Sequence, residues 1–187
     1  KAANQINKMY GLEKNQYILF LGRLVPEKGL MYLINSFKNV NTKHKLVIAG
    51  GSSDTDEYTA EVKKAAMNDS RICFIGFVQG DILQELYSNA YVYVLPSDVE
   101  GMPLSLLEAM SYGNCCLVSD IKEITEVVGN RAVIFQKGNV TMLTEKLQYL
   151  CDSEKEVNRY KLQAADFICE KYNWDFVVNE TLSVYLK

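Results

Sequence analysis

Short apolar runs alternate with amphipathic stretches along almost the whole chain, and this alternation constrains the fold more than any other feature. Six runs have the length of a strand: Tyr17–Leu21, Lys45–Gly51, Arg71–Gly76, Tyr91–Pro96, Cys115–Ser119 and Ala132–Phe135. They are nearly continuous in apolar residues, which is typical of strands buried on both faces. Strands separated by helices form parallel βαβ units with right-handed crossovers. The sequence therefore predicts an α/β fold, a Rossmann-like doubly wound parallel sheet of about six strands with flanking helices.

The length and the absence of linkers predict one domain. The chain has 187 residues, of which 48% are hydrophobic, enough for a substantial core. It has no internal repeat, low-complexity tract or Pro-rich linker, so we expect residues 1–187 to form a single domain. The stretch from Ser153 to Lys187 is predicted to be helical. Because no strand follows it, it either packs on the sheet or reaches a missing part, and Lys1–Leu12 resembles the end of a connecting segment.

Charge and composition exclude several classes of protein. Twenty Lys and Arg face 23 Asp and Glu, which argues against binding the backbone of a nucleic acid. No apolar run approaches the roughly 18 residues that span a bilayer. Five cysteines without a C-x-x-C pair predict reduced thiols in a cytoplasmic protein. The single histidine, His44, lies among polar residues and gives little support to a Ser-His-Asp triad or a zinc site.

The loop after the first strand contains two cations. Ligands of parallel sheets bind beyond the carboxyl ends of the strands, and Gly22–Gly29 lies at such an end. Arg23 and Lys28 flank a turn at Pro26, and two cations there suit a diphosphate. The alternative is a solvated loop that caps the next helix while Lys28 points to water. This loop alone leaves both interpretations open.

The loop after the fourth strand predicts an anion site. Pro103 suits the first turn of a helix that we expect over Leu104–Tyr112, with Leu104, Leu107 and Met110 or nearby residues buried. The free N–H groups of Gly101–Leu104 would point out of the sheet edge and attract an anion, helped by the helix dipole. Gly101 would allow a phosphate to approach the backbone closely.

Two carboxylates accompany this loop. Glu100 lies just before the helix and Glu108 about one turn inside it, so both can face one crevice. Glu100 could instead only favour the helix dipole, and Glu108 could be a solvated position. Its neighbours, however, place Glu108 beside the buried face, where a carboxylate suits a bidentate hydrogen bond with ribose hydroxyls.

Two weaker signals remain. The loop Gly76–Asp81 offers backbone groups and the Phe77 ring, which could hold a nucleobase, although a Gly-Phe pair after a strand usually serves packing. Asp54-Thr55-Asp56 has the form of an Asp-x-Asp metal motif. Because no third ligand is in view, a helix N-cap is the better interpretation, and no metal site is expected.

In order and separation, the segments GRLVPEKG, LVIAGG, FIGFV and LPSDVEGMPLSLLEAMSYG resemble the C-terminal, donor-binding half of retaining GT-B glycosyltransferases of family 4. Seven residues separate Glu100 from Glu108, as in the E-x7-E motif of that group. The resemblance extends from about Tyr17 to the final helix. The chain departs from it at Asn114-Cys115-Cys116, where the family often has a Pro-Val type of sequence, and we expect only packing consequences.

The resemblance implies a role for each matching residue. Arg23 and Lys28 would hold the donor diphosphate and stabilise the leaving nucleotide, and Glu100 would lie near the transferred sugar, which makes these three the catalytic candidates. Glu108 would bind the ribose. Contacts with sugar and phosphate are implied for four consecutive residues, Gly101, Met102, Pro103 and Leu104, and contacts with the base for Phe77 and Val78. No metal or other cofactor is implied, because the two cations and the helix end take that role.

The implied activity is the transfer of a hexose-type sugar from a nucleotide diphosphate sugar, with a UDP-sugar favoured and with retention of configuration. The enzyme would be cytoplasmic, and contact with the inner face of a membrane stays open. An N-terminal domain absent here would bind the acceptor, so the isolated chain would bind nucleotide but transfer sugar poorly or not at all. Two alternatives remain: a nucleotide-sugar epimerase of GT-B fold and a non-catalytic nucleotide-binding module. A dinucleotide module is disfavoured because no G-x-G-x-x-G follows the first strand.

Overall fold

The computed structural model describes residues 1–51 and 56–186, and within these ranges it contains six strands. They are β1 (Tyr17–Leu21), β2 (Lys45–Ala49), β3 (Ile72–Gly76), β4 (Val92–Leu95), β5 (Cys115–Ser119) and β6 (Val133–Phe135). Each predicted apolar run contains one strand, and the two ranges differ by at most two residues at either end.

All neighbouring strands are parallel, and the order in the sheet is β3-β2-β1-β4-β5-β6. This is the order of a doubly wound Rossmann-like sheet, which confirms the predicted fold. The order reverses between β1 and β4, which are neighbours although about 70 residues separate them. The loops after these two strands lead to opposite sides of the sheet, so a crevice opens between them.

Helices cover both faces of the sheet. Those in the described ranges are α1 (Gln5–Tyr10), α2 (Leu30–Phe37), α3 (Asp56–Ala66), α4 (Gly80–Asn89), α5 (Leu104–Ser111), α6 (Lys122–Val128), α7 (Val140–Asp152), α8 (Glu154–Lys171) and α9 (Trp174–Tyr185). Alternate side chains of β1 enter two separate cores, Tyr17 and Leu19 on one face and Ile18 and Phe20 on the other. Helices α1, α4, α5 and α6 contribute to the first core and α2, α3 and α7 to the second, while α8 contributes to both.

The C-terminal stretch predicted from Ser153 onward forms two helices. Its first helix, α8, packs against α5 and β5. Of the two possibilities that the sequence left open, this helix therefore follows the first, packing on the sheet. It ends before Asn173, whose side chain accepts a hydrogen bond from the amide of Asp175 and so caps α9. At the other terminus, Ile6 and Leu12 are fully buried, so Lys1–Leu12 contributes to the core.

The buried face of α5 differs from the prediction. Leu104 is 64% exposed, whereas Leu106, Ala109 and Met110 are fully buried and Leu107 is half-buried. Leu104 precedes Leu106 by two residues, about 200° around the helix, so the two cannot share a face. The expectation that Leu104 is buried is therefore wrong.

His44 and the two cysteines of β5 pack against or within the core of the fold. His44 is half-buried and stacks on Tyr91 with 4.1 Å between ring centroids, so its predicted polar surroundings are only part of its environment. Burial lowers the pKa of His44. Cys115 and Cys116 are fully buried in β5, and burial raises the pKa of Cys115 to about 12. Both therefore remain neutral thiols at ordinary pH.

Candidate active site

The loops after β1 and β4 are in direct contact. A short 3-10 turn over Pro26–Lys28 ends at Gly29, whose φ of 65° is left-handed. A Cβ on Gly29 would lie 2.0 Å from the carbonyl oxygen of Pro96, so only glycine fits. The amide of Asp98 donates to the carbonyl of Glu27 at 2.8 Å. Backbone contacts alone therefore fix the relative position of the two loops.

The side chains of Lys28 and Glu100 meet in this contact. Lys28 Nζ lies 2.7 Å from Glu100 Oε1, and the two side chains are 17% and 5% exposed. The hydroxyl of Ser97 donates to the same oxygen at 2.7 Å, and the hydroxyl of Ser119 donates to the carbonyl of Ser97 at 2.6 Å. Lys28 therefore does not point to water, and groups from β1, β4 and β5 together fix the Glu100 carboxylate.

Arg23 occupies a more open position. Its side chain is 65% exposed, and its nearest acidic partner is Glu27, with 3.8 Å between Nη2 and Oε1. Such an exposed pair is weak, so the guanidinium can turn to another anion. Arg23 borders a cleft of about 180 Å³ together with Phe77 and Val78, beside the glycines of the loops after β1 and β2. Phe77 is 74% exposed and Val78 is buried, so the cleft has an open aromatic side and an apolar floor.

The amino end of α5 begins four residues after Glu100 in the chain and has no side-chain cap. The amide of Leu104 donates to the carbonyl of Met102 at 2.9 Å, so the expectation of a free N–H at Leu104 is wrong. Within the described ranges, the amides of Gly101, Met102 and Ser105 have no acceptor. Pro103, which precedes the helix, is buried. Three amides at the positive end of the α5 dipole are therefore available to an anion.

Glu108 projects from α5 one turn further along. The side chain is exposed, and its Oε2 accepts a hydrogen bond of 2.9 Å from the hydroxyl of Tyr87 in α4. Glu108 also borders a cleft of about 550 Å³ between α5, α8 and α9, whose walls are mostly apolar. Burial, followed by the neighbouring Tyr93 and Glu108, raises the pKa of Tyr87 well above its ordinary value. Tyr87 therefore stays a hydrogen-bond donor.

The fold thus gathers most of the predicted site residues at one edge of the sheet. Arg23, Lys28 and Glu100 lie in the loops after β1 and β4, and Gly101, Met102, Pro103 and Leu104 follow in the β4 loop and the first residue of α5. Phe77 and Val78 lie in the loop after β3 and Glu108 lies within α5. Sequence reasoning missed Ser97 and Tyr87, which donate to the two carboxylates, and Ser119, which donates to the carbonyl of Ser97. Packing of distant segments brings Tyr87 and Ser119 to their partners, whereas Ser97 lies three residues before Glu100 in the same loop.

A model of the family described as glycosyl transferases group 1 matches residues 3–167 of the chain. The chain belongs to this family. An uncharacterized glycosyltransferase of Methanocaldococcus jannaschii is 34% identical over 92% of the chain, and O-antigen chain mannosyltransferase B of Escherichia coli is 25% identical over 94%. These matches cover 45% and 47% of the two relatives, so the chain spans about half the length of the curated relatives it matches.

Solved structures share the fold of this group 1 glycosyltransferase chain. The Anabaena protein HepE, solved in complex with UDP and glucose, superposes with a TM-score of 0.87. The superposition covers 96% of this chain and 51% of HepE at 17% identity, which is a likeness of fold. The six-stranded domain is therefore the C-terminal type of domain found in GT-B glycosyltransferases.

Two further properties of this group 1 glycosyltransferase domain concern residues 1–51 and 56–186. No helix there has both the length and the apolar character needed to cross a lipid bilayer. No group of three or more His, Cys, Asp or Glu side chains there is placed to hold a metal ion. The Asp-x-Asp sequence considered above includes Asp54 and Thr55, which lie outside the described residues, and Asp56 is the first residue of α3.

Proposed function

We propose that this chain is the donor-binding part of a retaining, metal-independent family 4 glycosyltransferase and that it binds a nucleotide diphosphate sugar, with a UDP-sugar favoured. The observation that carries the proposal is the 2.7 Å contact between Lys28 and Glu100. It joins the loops after β1 and β4 at the point where the strand order reverses, which is where doubly wound sheets bind ligands. The UDP and glucose named for HepE are of the proposed ligand class.

The diphosphate would lie between Arg23, Lys28 and the amino end of α5. When the bond between sugar and phosphate breaks, negative charge grows on the diphosphate. Arg23, Lys28 and the amides of Gly101 and Met102 would stabilise that charge, and stabilisation of charge that develops in the transition state lowers the barrier. Lys28 and the two amides are positioned before the ligand arrives, because Gly29 and the Asp98–Glu27 hydrogen bond fix both loops. The exposed Arg23 would turn toward the ligand as it binds.

Glu100 would act on the sugar side of the breaking bond. Positive character develops at the anomeric carbon as the nucleotide leaves, and a carboxylate stabilises it. The hydroxyl of Ser97 and the ammonium of Lys28 hold Glu100 Oε1 in one place, so the carboxylate need not reorganise during the reaction. The cleft lined by Phe77 and Val78 would take the base, and Glu108 would bind the ribose hydroxyls.

The complete enzyme would contain a further N-terminal domain that binds the acceptor. The relatives are about twice as long as the matched segment, which supports this part of the proposal. The acceptor would attack from the face that the nucleotide leaves, giving retention of configuration.

Incubation of a full-length enzyme with nucleotide sugar and acceptor separates transfer from epimerisation. Transfer gives a glycoside, whereas epimerisation gives an altered nucleotide sugar. The anomeric coupling constant of a glycoside product tests retention.

Calorimetric titration with UDP, GDP and ADP in EDTA tests donor binding by the chain itself. We expect UDP to bind without metal, and Arg23→Ala to weaken its affinity about tenfold through loss of a charge-assisted contact with phosphate. Arg159→Ala is the matched control, because Arg159 is an exposed arginine paired with Glu156 in α8. A wild-type chain that binds none of the three nucleotides contradicts the proposal.

A further inference from the structure

A buried tyrosine holds the carboxylate that the proposed function assigns to the ribose. The hydroxyl of Tyr87 lies 2.9 Å from Glu108 Oε2 and 3.2 Å from the carbonyl oxygen of Ser105. A phenol has one hydrogen to donate, and an ionised carboxylate is the stronger acceptor. Tyr87 therefore donates to Glu108 and fixes one of the two carboxylate oxygens.

The position of Tyr87 is itself fixed relative to α5. Its ring stacks on Tyr112, which directly follows α5, with 5.5 Å between centroids and 19° between ring planes. The side-chain amide of Asn114 donates to the carbonyl of Tyr87 at 2.8 Å and to the carbonyl of Ala109 at 2.9 Å. Both the ring and the backbone of Tyr87 are thus tied to the helix that contains Glu108. Asn114 is the first of the three residues at which the sequence departs from the family pattern.

The hydrogen bond from Tyr87 occupies only one of the two oxygens of Glu108. Glu108 is exposed, and within residues 1–51 and 56–186 its Oε1 accepts no hydrogen bond. An exposed glutamate without a fixed neighbour samples several rotamers and loses that freedom when a ligand binds. The hydrogen bond from Tyr87 restricts Glu108 before binding. A carboxylate held in this way presents its free lone pairs to a pair of adjacent hydroxyls in one orientation.

We propose that Tyr87 is a positioning residue that orients the Glu108 carboxylate toward the ribose hydroxyls of the nucleotide. This inference rests on the proposed function and adds to it the group that makes ribose recognition selective. Tyr87 does not touch the ligand, since its side chain is buried. It acts only through Glu108, so its removal weakens binding only where the ligand has hydroxyls for Glu108 to bind.

The test compares UDP with 2′,3′-dideoxy-UDP by calorimetric titration of the 187-residue chain. If GDP or ADP binds more tightly than UDP, that nucleotide and its dideoxy analogue are used instead. We expect Tyr87→Phe to weaken binding of the ribonucleotide about fivefold and to leave the affinity for the dideoxy analogue unchanged. Glu108→Ala should no longer prefer the ribonucleotide over the dideoxy analogue. Tyr87→Phe combined with Glu108→Ala should bind the ribonucleotide no more weakly than Glu108→Ala alone.

Tyr112→Phe is the matched control. It removes a phenol hydroxyl from the ring that stacks on Tyr87, and the Tyr112 hydroxyl donates no hydrogen bond within the described part of the chain. Thermal unfolding of each variant shows whether the fold is retained. A general disturbance of the fold would weaken both ligands alike, which a positioning role would not do.

The outcomes separate this inference from the proposed function. A wild-type chain that binds neither nucleotide overturns the proposed function and this inference together. A second outcome overturns the inference alone. In it, the wild type prefers the ribonucleotide and Glu108→Ala does not, but Tyr87→Phe keeps the full preference. Equal weakening of both ligands in Tyr87→Phe also overturns it.

Discussion

The ammonium group of Lys28 lies 2.7 Å from Oε1 of Glu100 in a contact where the carboxylate side chain is only 5% exposed. A nearly buried carboxylate needs a partner, because too little water reaches it to solvate its negative charge. The pair therefore ties the energetics of the loop after β1 to those of the loop after β4. It is also the place where stability and the proposed activity depend on the same atoms.

Lys28→Met should destabilise the fold by roughly 2 kcal/mol, because it leaves the Glu100 carboxylate without its cation. Combining it with Glu100→Gln removes the uncompensated charge, so the double variant should be more stable than Lys28→Met alone. Urea unfolding of the two single variants and the double variant measures this coupling. Lys122→Met is the matched control, since the Lys122–Glu126 pair is 81% and 65% exposed and should contribute less than about 0.5 kcal/mol. Strictly additive effects of the two substitutions would contradict the coupling.

Gly29→Ala should destabilise the fold by more than about 2 kcal/mol, because the new Cβ meets the Pro96 carbonyl at 2.0 Å and φ is left-handed. Gly101→Ala provides the comparison. No atom lies within 4 Å of a Cβ built on Gly101, so its effect on stability should stay within about 0.5 kcal/mol. Thermal and urea unfolding measure both variants. Similar stabilities for the two would show that the loops after β1 and β4 do not need their close contact.

Lys161 should make stability depend on pH in the alkaline range. Its ammonium donates to Asn15 Oδ1 at 2.8 Å and to the carbonyl of Ala90 at 2.7 Å, and burial lowers its pKa from 10.5 to about 8. Between about pH 8 and pH 10 the unfolded chain keeps a proton on Lys161 that the folded chain has lost. The unfolded state then binds more protons, so the contribution of Lys161 to stability rises with pH.

The measurement is the difference in unfolding free energy between the wild type and Lys161→Met from pH 7 to pH 10. We expect this difference to be constant below about pH 8 and to rise by about 1–2 kcal/mol toward pH 10. Burial raises the pKa of Cys115 to about 12, so this thiol makes stability fall as the pH rises. Because Cys115 is present in both proteins, the difference between them removes its effect. A difference that stays flat or falls with pH would contradict the lowered pKa.

Much of the fold could be predicted because four strands, β1, β2, β4 and β5, are buried on both faces. Runs such as Tyr17–Leu21 and Cys115–Ser119 are apolar at nearly every position, so their bounds follow from composition alone. Parallel strands with helical crossovers also place the loops after β1 and β4 at one edge. The sequence alone therefore predicts that Arg23, Lys28 and Glu100 lie at this edge.

The errors and omissions have physical causes. Helix α5 contains apolar residues on more than one face, so periodicity did not distinguish Leu104 from Leu106. The contact between Lys28 and Glu100 joins residues 72 positions apart, and sequence could place them at one edge but not in one ion pair. Tyr87 could not be singled out from the sequence, because its partner Glu108 lies on a different helix.

The most direct test of the account is to observe which amides respond when a nucleotide binds. The measurement is a titration of the ¹⁵N-labelled chain with UDP, or with the nucleoside diphosphate of highest affinity, followed by two-dimensional NMR. We predict that the largest shifts occur at the amides of Gly101, Met102 and Ser105, with smaller shifts around Arg23. Shifts confined to the apolar cleft around Tyr172, with the three amides unchanged, would contradict a diphosphate site at the amino end of α5.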